Sequence, residues 1–262
     1  MARPRNSTST NDIPVIAPLA RGLDVLRAFE AGDPPLRNQE IARRTKLPPS
    51  SVSRITGSLV SLGYLAYDAG TQAYSLTPAV LRFGQVFLSG IPVRYRLRQG
   101  MRDLADKFGA TVALGARSRD EMIYIECCKG PSPVPFRFDV GSSIPLNRSA
   151  MGWGYLGGLD QNAFEVTMSE VKVGNTKTWQ SLARKINQAR EEVQKRGFCV
   201  SMGAFESGVH TAGVPVTTRP DEPLYSLTCG APAYHLSESQ LVNEIGPRLV
   251  WLARSVFQGN TH

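Results

Sequence analysis

The chain has 262 residues, enough for two domains that each bury a core, and no apolar run approaches the length needed to cross a bilayer. Its formal net charge of +8 points to a polyanionic partner. The four cysteines (Cys127, Cys128, Cys199 and Cys229) show neither CxxC nor Cys/His ligand spacing, and the polar N-terminus does not read as a signal peptide. Reduced thiols, a cytoplasmic location and no metal or other cofactor are therefore expected.

Residues 1–18, RPR followed by STSTN, read as a mobile basic tail. Residues 19–31 predict a first helix with Leu23, Leu26, Ala28 and Phe29 inward, closed by Gly-Asp-Pro-Pro. The stretch RNQEIARRTKLPPSSVSRITGSLVS, residues 37–61, reads as two short helices joined by a tight turn. Asn38 stands where a cap belongs, and Pro48-Pro49 ends one helix and opens the next. In the second helix Val52, Ile55, Leu59, Val60 and Leu62 make an apolar stripe, which leaves Ser50, Ser51, Ser53, Arg54 and Ser58 outside. Exposed helix positions usually carry Glu, Lys or Gln. Short hydroxyls instead permit close approach to phosphates and base edges, and one arginine can read guanine with two hydrogen bonds. Residues 37–54 carry five basic side chains against one Glu, a local +4. An ordinary helical hairpin with a polar surface is the competing reading. The alternating runs that follow, flanking Asp-Ala-Gly-Thr, predict a β-hairpin and complete a winged helix-turn-helix over residues 19–77.

Thr77-Pro78 opens a connecting helix, residues 78–92, apolar almost all round. Such a helix needs a partner, either its copy in a second subunit or the chain's own second domain. Residues 93–262 then give a helix carrying Leu97, Met101, Leu104, Ala105 and Phe108, and strands over 111–117, 121–127 and 134–140. A small-residue helix, SAMGWGYLGG, precedes an amphipathic helix over 178–196. Strands over 198–202, 213–217 and 223–229 and a last helix capped by Ser237 finish an α+β sensor-like domain. The start of the small-residue helix could receive a carboxylate or phosphate on its backbone N–H groups, or its small residues could serve close helix–sheet packing. Nucleophile elbow, HExxH and phosphate-loop motifs are missing, so the chain is not expected to be an enzyme. The alternative is a thiol-dependent enzyme, such as a sulfoxide reductase, using Cys127, Cys128 or Cys229.

LARGLDVLRAF, LPPSSVSRITGSLVSLGYL, AYSLTP, GSSIPLNRSAMG, GFCVSMGAFESGVHTAGVPV and LYSLTCGAP together resemble the IclR family of transcription regulators, over residues 19 to the end. The resemblance implies a GAF-like mixed α/β effector domain and a homodimer or dimer of dimers on a palindromic double-stranded operator. It also implies a small organic or aromatic carboxylate as effector. By that resemblance Ser50, Ser51, Ser53 and Arg54 meet DNA, with Arg37, Arg43, Arg44 and Lys46 toward phosphate. The effector would sit at Ala150, Met151, Gly152, Ser201, Met202, Thr211, Thr228, Cys229 and Gly230. The chain departs from the family at Asn147-Arg148-Ser149 and at Trp153, where a lysine is usual. Ser201-Met202-Gly203-Ala204-Phe205 replaces an acidic cluster, and Gln72-Ala73 stands where the wing is often basic.

Overall fold

The computed structural model describes residues 14–131, 138–171, 176–218 and 224–258. The chain divides into two compact units between Phe87 and Leu88, inside the expected connecting segment.

In the first unit α1 (Ala17–Arg27) places Val25 in the core, whereas Leu23 faces solvent. Of the stripe expected there, Leu26, Ala28 and Phe29 do pack against that core, and Leu23 does not. Strand β1 (Leu36–Arg37) leads into α2 (Asn38–Thr45), whose cap position is Arg37 rather than Asn38. Asn38 instead ties α2 to α3, with its side-chain amide 2.8 Å from the Ser53 hydroxyl. Lys46 closes α2 in the left-handed region, φ 57°, and α3 (Pro49–Ser61) starts on the proline its sequence suggests. Val52, Thr56 and Leu59 form its buried stripe. Thr56 is tolerated there because its hydroxyl donates to the Val52 carbonyl at 2.9 Å. Leu62 lies past the helix end and is exposed, contrary to the sequence reading.

The wing is β2 (Leu65–Asp68) and β3 (Ala73–Leu76), antiparallel, with β1 on the far side of β3. Its turn is held by the Asp68 carboxylate, which accepts from the Gly70 N–H and the Thr71 hydroxyl, each at 2.8 Å. Thr77 caps a 3-10 turn, so α4 begins only at Leu81 (Leu81–Ser89). Leu81, Phe83 and Phe87 are exposed, and Phe83 stacks on Tyr64 at 5.9 Å between centroids.

The second unit is a six-stranded antiparallel sheet, order β6-β5-β4-β9-β8-β7, with helices on both faces. Its strands are β4 (Thr111–Ser118), β5 (Glu121–Lys129), β6 (Ser143–Pro145), β7 (Cys199–Met202), β8 (Val209–Val216) and β9 (Tyr225–Pro232). Helix α5 (Pro92–Phe108), stopped by Gly109 at φ 55°, shares one core with the C-terminal helices. Those are α9 (Glu238–Gln240), a π-helical turn over Leu241–Ile245 and α10 (Gly246–Gln258). The π turn precedes Pro247, where a regular ladder would lose a bond and clash. Helices α6 (Ala150–Gly158), α7 (Gln161–Glu170) and α8 (Thr176–Arg196) stand before the other core. Two short elements, β6 and α7, escaped the sequence reading; the strand expected over residues 134–140 lies largely outside the described residues. No described helix is long and apolar enough to cross a membrane.

Candidate functional site

The first unit presents one coherent polar face. Ser50, Ser53, Arg54 and Ser58 of α3 are exposed, and Ser51 is half-buried. Hydroxyls of Ser53 and Ser58 donate back to the Pro49 and Arg54 carbonyls, at 3.1 and 3.0 Å, so they are held close to the helix. Arg54 has no acid partner among the described residues. Arg37 and Lys46, at the two ends of α2, are exposed as well.

The two adjacent arginines of α2 divide. Arg43 is exposed yet forks onto Glu40, Nε to Oε2 at 2.8 Å and Nη2 to Oε1 at 2.6 Å. Arg44 turns inward, donating to Glu40 at 2.7 Å, to the Ala28 carbonyl at 2.9 Å and to both oxygens of Asp33. Hydrogen bonds from Arg43 and then Arg44 hold the Glu40 carboxyl down at about 2. Arg44 is therefore spoken for within the fold, unlike the phosphate contact expected of it. The wing tip carries no cation, in keeping with its Gln72-Ala73 sequence.

In the second unit a cavity of about 40 Å³ lies where the resemblance puts the effector. Ala150, Met151, Ser201, Thr211 and Thr228 line it, together with Ser149, Tyr124, Ile144, Phe138, Phe205, Glu206 and Val209. Four of the nine expected residues stand elsewhere. Gly152 is pressed on backbone: an added Cβ would come within 1.8 Å of the Leu146 carbonyl oxygen. Met202 follows Ser201 along β7 and so points to the opposite, exposed side. Cys229 alternates with Thr228 into the core shared by α5 and α10. Gly230 lies beside Thr211, with 2.7 Å between its would-be Cβ and Oγ1.

Close packing accounts for the small residues of α6. A Cβ on Gly213 would sit 2.1 Å from the Ala150 carbonyl oxygen, and Ser149 Oγ already accepts the Gly152 N–H at 3.1 Å. The residues that sequence reasoning missed are the aromatic wall, Tyr124, Phe138 and Phe205, whose rings stand 5.9 and 6.0 Å apart in succession. Strand alternation from buried Met122 to Tyr124 was the available signal for the first. The cysteines offer little nucleophile. Burial pushes the Cys127, Cys199 and Cys229 thiols up to about 12, and Cys128 upward as well. His210 and His235 each place a ring nitrogen on a backbone carbonyl, of Leu236 at 2.7 Å and Phe108 at 2.8 Å. Among the described residues no cluster of His, Cys, Asp and Glu could hold a metal.

Comparison with known proteins agrees with both halves. Residues 18–69 match the IclR helix-turn-helix domain, and residues 85–257 match the bacterial transcriptional regulator IclR C-terminal domain. The HTH-type transcriptional regulator TsaQ1/TsaQ2 of Comamonas testosteroni is 28% identical over 243 residues, 91% of this chain and 86% of that protein. The Pca regulon regulatory protein of Pseudomonas putida is 24% identical over 94% of this chain and 85% of its own. Among solved structures, an IclR family transcriptional regulator from Brucella abortus aligns at 32% identity and TM-score 0.80, covering 97% of this chain and 96% of that one. An IclR homologue from Microbacterium hydrocarbonoxydans complexed with 4-hydroxybenzoate shares the fold at 19% identity and TM-score 0.67, over 92% of this chain and 99% of that one. With a winged helix-turn-helix before a domain built on a six-stranded sheet, and both halves matched, this chain belongs to the IclR family of DNA-binding transcriptional regulators.

Proposed function

We propose that the protein binds a palindromic operator as a homodimer, with the outer face of α3 in the major groove and its occupancy set by a small organic acid in the second unit. The observation that carries this reading is the exposed Ser50, Ser53, Arg54 and Ser58 face, with Arg37 and Lys46 exposed at the two ends of α2. A solvated helix gains nothing from that composition, whereas a helix seated against phosphates and base edges does. Exposed Leu81, Phe83 and Phe87 on α4 support pairing, because a second copy would cover them and fix the spacing of two reading heads. An effector acts by binding one arrangement of the heads better than the other, and a few kcal/mol of such coupling suffice. The structure in which a relative holds 4-hydroxybenzoate makes a hydroxylated aromatic acid the first ligand to try. Raised thiol pKa values favour a regulator over a thiol-dependent enzyme.

Selecting bound duplexes from a randomised DNA library with the full chain tests this reading. The expected product is an inverted repeat with half-sites about one helical turn apart, roughly 10–10.5 bp, or a multiple of it. Binding that is weak and indifferent to sequence would reject it. Repeating the binding with 4-hydroxybenzoate should shift operator affinity if that acid is an effector.

A further inference from the structure

The outer face of α3 offers a partner both donors and acceptors, and at one position the choice between them is made inside the protein. A serine hydroxyl has one proton to give and two lone pairs to receive with. On an open helix face it turns to suit its surroundings, donating to a phosphate oxygen or accepting from a base amine. Ser53 is exposed on α3, yet its hydroxyl is held from two directions. Its own helix offers the Pro49 carbonyl at 3.1 Å, and α2 offers the Asn38 side-chain amide at 2.8 Å.

The amide can face Ser53 with either end, and the fate of the hydroxyl proton is the same. With its nitrogen toward Ser53, Asn38 donates into Oγ and the hydroxyl donates to the Pro49 carbonyl. That arrangement sets the amide nitrogen against the Ser53 N–H and the amide oxygen against the Pro49 carbonyl. With its oxygen toward Ser53, Asn38 Oδ1 accepts the hydroxyl at 2.8 Å and the Ser53 N–H at 3.2 Å, while Nδ2 donates to the Pro49 carbonyl at 3.3 Å. The second arrangement matches every donor with an acceptor and is the favoured one. In both, the proton is used within the protein and a lone pair of Oγ is left over. Ser53 then has nothing to give a phosphate oxygen, which only accepts. Arg54, the next residue, only donates.

We infer that Ser53 is a specificity-determining residue that accepts a hydrogen bond from an exocyclic base amine, adenine N6 or cytosine N4, in the major groove, and that Asn38 is the positioning residue that keeps it an acceptor. The contact selects adenine or cytosine on the strand Ser53 faces, because guanine O6 and thymine O4 present lone pairs there instead. This inference rests on the proposed seating of α3 in the groove and adds what one of its serines reads.

Fluorescence anisotropy with the full chain, on every single-base variant of the selected operator, tests it for the wild type, Ser53→Ala and Asn38→Ala. Ser53→Ala should lose about threefold to tenfold in affinity, the net worth of one hydrogen bond. It should also lose the preference at one base pair, where the wild type favours adenine or cytosine on one strand. Replacing that adenine by 2-aminopurine, or that cytosine by 2-pyrimidinone, removes the amine from the groove. The wild type should then lose about threefold to tenfold more than Ser53→Ala loses on the same duplex. Asn38→Ala should narrow that difference while keeping the preferences at the other base pairs, which a general loosening of α3 would not do. A Ser53→Ala loss spread evenly over all sequences, as a phosphate contact gives, would overturn the inference, as would a preference for guanine or thymine at the affected pair. Wild-type discrimination in Asn38→Ala would overturn the positioning role. A selected operator that Ser53→Ala binds as the wild type does defeats the Ser53 assignment alone, whereas failure to select any operator defeats the seating of α3 and this inference with it.

Discussion

Arg44 and Arg54 belong to one basic stretch and have opposite fates. Arg44 is half-buried against Asp33, Glu40 and the Ala28 carbonyl, whereas Arg54 projects from α3 with no acid beside it among the described residues. Arg44→Ala is therefore expected to lower the thermal midpoint of the N-terminal unit, because it leaves Asp33 without its main partner and Glu40 with Arg43 alone. It should leave the salt slope of DNA binding unchanged, since a side chain turned inward releases no counterion from phosphate. Melting curves and a salt series on the variant check both halves. The acid partner adds a pH dependence. Glu40 is held at about 2 against an ordinary 4.5, so its pairing contributes fully above pH 4.5 and is lost as pH falls through 2. The melting-point gap between the wild type and Glu40→Gln should accordingly shrink as pH is lowered across that window. A gap that stays constant would mean the fork onto Arg43 and Arg44 is not formed in solution. That Arg54 faces outward was legible from the apolar stripe of α3. The inward turn of Arg44 was not, because its partner Asp33 lies in the loop after α1, which helical periodicity does not describe.

At the scale of elements, α6 shows how a glycine-rich helix is chosen by packing. Gly152 and Gly213 let it lie directly on the loop before it and on β8, with backbone where side chains would normally intervene. Gly213→Ala should cost about 1–3 kcal/mol through overpacking. Urea unfolding monitored by tryptophan fluorescence measures it, and a neutral result would show that α6 can lift from the sheet. Packing and anion binding were equally open from the sequence here, since both ask for small residues at a helix start. Only the distances decide between them. Long amphipathic elements such as α5 and α8 were plain from their periodicity. Short ones were not: β6 is three residues whose pairing with β5 is a long-range matter, and α7 follows its Asp160 cap without a strong apolar stripe. Of the residues that the resemblance assigns to the effector, Ser201, Thr211 and Thr228 are carried by strand alternation to the α6 face, where they line the cavity. Met202 and Cys229 do not line it, because the same alternation sends their side chains the other way.

At the scale of the whole molecule, two consequences of the proposed operator complex can be measured. If α4 pairs with its copy, Phe83→Asp should shift the sedimentation profile toward monomer and weaken operator binding together, because both half-sites must be held at once. A variant that remains dimeric would move the pairing surface elsewhere. The more direct test lies on α3 itself, since the proposed function depends on its serine-lined face meeting base edges. Operator affinity should be compared for the wild type and Arg54→Ala across single-base variants of the selected site. The account predicts a loss of about 1–3 kcal/mol on the best site and a flattened preference at the base pair Arg54 reads. Unchanged affinity with the base preference intact would contradict it.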